Sequence, residues 1–171
     1  MSVYSRSAVY DVINYLWENL KESKVLDPTD YYLDDFESSI VPIIPIQDQP
    51  ELANHLNNKP YIIYDFIGYP QTNDEIFINE EAVMFTIFCP NFSKVMEIVR
   101  VFNESFRGKD EAAKKLQLAD TTSGDFFFYS TRIDGIDISG QASKESGRIT
   151  GEVTVCYKYG EPLDWSGNYL V

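Results

Sequence analysis

Apolar positions recur at helical spacing close to the N-terminus, where Val9, Val12, Ile13, Leu16, Trp17 and Leu20 form one stripe. Asp11, Asn14, Glu18, Asn19 and Lys21 occupy the opposite side, so the pattern predicts an amphipathic helix from about Tyr4 to Ser23, capped by Ser5 or Ser7. Its stripe needs a packing partner, and a sheet is expected to supply one. The period then dissolves over 25–39 into an acidic loop, with Asp27, Asp30, Asp34, Asp35 and Glu37 set around Tyr31, Tyr32, Leu33 and Phe36. Ile40–Ile46 is apolar but holds Pro42 and Pro45, which have no amide hydrogen to give a ladder, so it reads as an edge strand or an extended segment.

Pro50–Leu56 reads as one or two helical turns, and Pro60–Ile67 as a strand apolar on both faces. A polar turn leads into a second strand, Ala82–Cys89, expected to return antiparallel. Pro90-Asn91 then opens a helix whose stripe is read as Phe92, Val95, Met96, Val99, Phe102 and Phe106, closed by Gly108. A short charged helix is expected over Lys109–Asp120, and an aromatic strand over Asp125–Ile133. Glycines and serines between 134 and 147 predict a flexible hairpin loop. In Arg148–Tyr159, Ile149, Val153, Val155, Tyr157 and Tyr159 alternate with Thr150, Glu152, Thr154 and Lys158, as in a half-exposed strand. Residues 160–171, with Trp165 and Tyr169, have no period and read as an extension that orders against a partner. The sum is one α+β domain over 1–171: a mainly antiparallel sheet covered by an N-terminal and a central helix.

Composition sharpens this. The 171 residues suffice for one domain with a sizeable core, and 44% hydrophobic with 24% charged is an ordinary globular balance. Twelve Tyr and eleven Phe are a surplus that supplies contact surfaces as well as core, an aromatic-rich core being the simpler reading of any single ring. A net charge of −13, from 14 basic and 27 acidic residues, offers no basic footprint for DNA. An acidic surface does suit a conduit that DNA slides past without sticking. The N-terminus has no apolar signal core and no stretch nears the roughly 18 apolar residues of a membrane span, so the expectation is a soluble, cytosolically made protein with no membrane contact.

Candidate chemistry is thin. Cys89 and Cys156 lie in apolar strand patterns, as buried inert thiols do. The acids of 25–39 lack the alternate spacing and closing glutamate of a calcium loop. His55 has no nucleophile near it in sequence, and Glu80-Glu81 point to opposite faces of a strand, which is wrong for a carboxylate dyad. No phosphate-binding, dinucleotide or metal motif occurs, so no enzyme activity and no cofactor or metal is expected.

The element order, with Ile43-Ile44-Pro45-Ile46-Gln47, Pro50-Glu51, Lys59–Asp65, Glu80–Phe88 and its helix, and Gly147–Val153, resembles the tail terminator or tail completion (neck) proteins of long-tailed bacteriophages. No single motif among these is specific to that family. The resemblance implies a tail-terminator-like α+β subunit that assembles as a homo-oligomer, a hexameric ring, in the host cytoplasm. That ring sits in the virion at the head-proximal end of the tail, caps the tail tube and joins it to the head–tail connector, with DNA passing through unread. For such a ring the expected subunit or partner contacts are Ile43, Ile44, Ile46, Phe126, Phe128, Tyr129, Trp165 and Tyr169. The expected lumen acids are Asp30, Asp34, Asp35 and Glu37. The acidic loop and the C-terminal extension depart from the family pattern, which leaves open another neck component (head closure or sheath-stabilising) or an acidic DNA-mimic binding protein.

Overall fold

The computed structural model describes residues 7–34, 37–49, 53–56, 59–67, 71–72, 78–139 and 148–160. It is an α+β fold. Three helices, α1 (Ala8–Glu22), α2 (Phe92–Phe106) and α3 (Asp110–Leu118), accompany eight strands: β1 (Tyr32–Leu33), β2 (Ser38–Ser39), β3 (Ile43–Pro45), β4 (Tyr61–Phe66), β5 (Gln71–Thr72), β6 (Asn79–Cys89), β7 (Phe127–Ile138) and β8 (Ile149–Gly160). β1 and β2 form a separate small ladder, and the main sheet runs β3-β4-β6-β8-β7 with β5 paired to β6. Only β3 and β4 pair in parallel; the rest of the sheet is antiparallel, as the hairpin reading of β4 and β6 anticipated.

Register sorts the side chains into two faces. Opposed residues share a face, so Ile62, Ile87 and Gly151 align, as do Tyr64, Phe85 and Val153. This inner face is buried beneath α2, where Phe85 and Phe102 bring their ring centroids to 5.2 Å. At Gly151 the helix comes so close that an added Cβ would stand 2.9 Å from Val95 Cγ1, so even alanine would force a neighbour to shift. The other face carries Glu80, Ala82, Met84, Thr86 and Phe88 of β6, all half-buried.

α1 packs beside α2, and its buried side chains belong to the same core as the inner face of the sheet. Asn19 donates to Ser105 Oγ at 2.8 Å, and Tyr15 meets Phe106 edge-on at 5.9 Å. Ser7 stands at its cap position without a side-chain capping bond, whereas Asn91 caps α2 by accepting from Lys94 N at 2.8 Å. Two expectations are corrected. The buried stripe of α2 is Val95, Ile98, Val99, Val101, Phe102 and Phe106, while Phe92 and Met96 are exposed, because the sheet lies against the flank away from them. Residues 134–138 are not loop: β7 absorbs bulges after Phe128 and after Ile133 and continues, paired with β8, to Ile138. Residues 140–147 lie outside the described residues.

Candidate subunit-contact surfaces

The two edges of the main sheet differ in kind. β3 is short and flanked by Pro42, whose carbonyl accepts from Ile62 N at 2.8 Å. Ile43, on the inner face with Ile62, and Ile44, on the opposite face with Ile63, are both buried, which removes them as contact residues, because buried side chains present no surface to a partner. Ile46, in a 3-10 turn just beyond, is 45% exposed and remains a candidate.

β7 forms the opposite edge. Its first half is closed by α3: Gln117 Oε1 accepts from Phe128 N at 2.7 Å, and Gln117 Nε2 donates to Phe126 O at 3.2 Å. Thr131 N then bonds Lys109 O at 3.3 Å, and Thr131 Oγ1 donates to Phe106 O at 3.0 Å. Beyond this closure Asp134, Gly135, Ile136 and Asp137 are exposed along the edge. Along the aromatic run, strand alternation splits the expected contacts. Phe126 and Phe128 are buried against Tyr159 and Tyr157 and are corrected to core. Phe127 and Tyr129 are exposed and pair their rings at 4.9 Å. Phe127 was not singled out from sequence, though its odd position relative to Phe126 and Phe128 carried the signal. Trp165 and Tyr169 lie outside the described residues.

The acidic segment folds as a 3-10 turn, Pro28–Tyr31, followed by the β1–β2 ladder. Asp27 starts it by accepting from Thr29 N at 2.9 Å and Thr29 Oγ1 at 2.8 Å, and these donors hold its carboxyl below the usual range. Tyr31 is the anchor, buried against Trp17, with its hydroxyl donating to Pro60 O at 2.5 Å. Asp30, Asp34 and Glu37 are exposed, and Asp35 lies outside the described residues. Lys94 Nζ, in the first turn of α2, donates to Val25 O at 2.9 Å and ties this segment to that helix end.

Glu80 and Glu81 do separate across the sheet. Glu80 pairs with Arg132 at 2.5 Å on the outer face. Glu81 is only 4% exposed on the inner face, accepting from the hydroxyls of Tyr157 and, at 2.6 Å, Tyr159. Burial, then the Glu81 charge, pushes the Tyr157 hydroxyl well above its ordinary pKa, so it stays a proton donor to the carboxylate. With its oxygens engaged and water excluded, Glu81 is an internal fastening between β6 and β8. The same burial pushes the Cys89 thiol up to about 12, so it offers no ready thiolate. His55 is exposed in the 3-10 turn Ala53–Leu56. Among the described residues no group of three or more His, Cys, Asp or Glu is arranged to hold a metal ion, and no helix is long and apolar enough to cross a membrane. Neither a scan against protein-family models nor a search of the curated proteins finds a match to this chain.

Proposed function

We propose that this chain is a structural virion subunit forming a ring, a hexamer, at the head-proximal end of a phage tail. There it caps the tail tube and meets the head–tail connector, while DNA passes through without sequence-specific contact. The observation that carries the reading is a single sheet ending in two unlike edges. One is the short β3 edge, with exposed Ile46; the other is β7, open from Asp134 to Asp137, with Phe127 and Tyr129 exposed near its start. A closed ring is built from heterologous contacts, in which one patch of a subunit meets a different patch of the next. The α+β class agrees with what the family resemblance implies, and a net charge of −13 suits a conduit that must not hold DNA.

Native mass spectrometry and negative-stain imaging of the purified chain, alone and with tail tubes, test the reading. A six-fold ring in either sample supports it. Failure to oligomerise in both, or tight binding to a basic nucleic-acid-binding protein in place of tubes, overturns it. Labelling the chain in intact particles separates a terminator from a head-closure or sheath-stabilising component.

A further inference from the structure

The charge of this chain is unevenly placed. Residues 100–118 carry five of the fourteen basic residues against three acidic ones, whereas the rest of the chain carries nine against twenty-four. Arg107 and Lys109 stand at the junction of α2 and α3, and Lys114 and Lys115 on the solvent side of α3, all exposed. α3 buries Ala112, Ala113 and Leu116 on its inner side. Leu118, one turn beyond Lys114 and Lys115, is 83% exposed on the same side as the lysines. Lys114 pairs with Glu111 at 3.2 Å, but among the described residues no carboxylate pairs with Arg107, Lys109 or Lys115. Arg107, Lys109 and Lys115, unpaired among the described residues, and the exposed Leu118 give α3 the make-up of a contact surface for an acidic partner, although Asp110 and Glu111 are also exposed in its first turn.

The acidic counterpart is on the same molecule, at the far end of α2. Val25 is held to the first turn of that helix by Lys94, and Asp27, Asp30 and Asp34 follow it, exposed. Arg107 sits at the C-terminal cap of the same 15-residue helix, about 22 Å away along its axis. Like ends of two copies repel and unlike ends attract, so the basic end of one copy is drawn to the acidic end of the next. We propose that the exposed face of α3, with Arg107 and Lys109 at its start and Lys114, Lys115 and Leu118 along it, is the surface that receives the acidic end of the next copy of this chain. This rests on the ring reading above and assigns the charged component of its repeating contact. Duplex DNA is the poorer partner, because a chain of net charge −13 repels it beyond the reach of one corner.

The test uses two full-length variants. Lys109→Glu/Lys115→Glu makes both ends acidic, and Asp30→Lys/Asp34→Lys makes both ends basic. Sedimentation velocity of each alone should show association weakened at least about tenfold at about 0.1 M salt. An equimolar mixture should reassemble, because alternating copies restore an unlike pair at every contact. Parent-like assembly of either variant alone overturns the inference and leaves the ring reading standing. A mixture that stays unassembled while both variants melt like the parent also overturns it. Parent chain that never assembles, with tail tubes or without, removes the ring reading and this inference together. Binding of a duplex oligonucleotide that is lost in the Lys109→Glu/Lys115→Glu variant, with assembly intact, assigns the face to nucleic acid instead and overturns the proposal.

Discussion

Glu81 stands at a position where β6 turns its side chains under the helices, in step with Val83, Phe85 and Ile87. A lone carboxylate there would cost several kcal/mol in lost hydration, which is why it needs two phenolic donors. Tyr157 and Tyr159 lie two apart on β8 and opposite Glu81 and Asn79, so one strand delivers both hydroxyls to one side chain. Tyr159→Phe and Tyr157→Phe should each cost about 1–3 kcal/mol, and Glu81→Ala more than either, because it strands two buried hydroxyls at once. Since the three groups act as a unit, Glu81→Ala/Tyr157→Phe should cost less than the sum of its parts. Urea denaturation of the four variants measures this, and strict additivity would sink it. Sequence alternation told the two glutamates apart by face, but only the register with β8 says which face is inside.

Among the elements, α2 crosses β8 closely at Gly151. Gly151→Ala places a methyl group 2.9 Å from Val95 Cγ1, too close for either to stay where it is. The helix must lift or Val95 must turn, at about 1–3 kcal/mol. Val95→Ala in the same chain frees that space, so the double variant should be more stable than the two single losses predict. Chemical-denaturation midpoints of all three decide it, and a Gly151→Ala midpoint equal to the parent's counts against so close a crossing. This contact shows how far the sequence could be read. The existence of α1, α2, α3 and β8, and the antiparallel return of β6, followed from local periodicity. The buried side of α2 did not: Phe92, Val95, Met96, Ile98, Val99, Val101, Phe102 and Phe106 cover most of the helix circumference, and the sheet selects which of them it buries. The far half of β7 was hidden for the opposite reason. Asp134, Gly135 and Asp137 look like loop in isolation, and it is pairing with Glu152, Val153 and Thr154 that holds them extended. Of the residues expected at contacts, Ile46 and Tyr129 are exposed, whereas Ile43, Ile44, Phe126 and Phe128 are in the core that the same apolar character also suits.

For the molecule as a whole, the buried ionisable groups predict a one-sided pH profile. Burial pushes the Cys89 thiol up to about 12 and the Tyr64 hydroxyl up to about 12, and drives Tyr157 well above its ordinary value. In the unfolded chain the same groups ionise near 9 and 10. The unfolded state therefore gives up these protons first as pH rises. Their contribution to stability is complete below about pH 9 and is lost progressively towards about pH 12. Self-repulsion of a chain already at −13 also grows in this range, and it has to be separated from burial. Salt does so, because about 0.5 M ionic strength screens exposed charges and leaves buried groups almost untouched. Urea midpoints measured from pH 7 to 11 in high salt should still fall above pH 9, and Cys89→Val should flatten the first part of that fall. A profile that high salt makes level would assign the alkaline limit of this fold to surface repulsion, and an equally steep fall in Cys89→Val would remove the buried thiol from it.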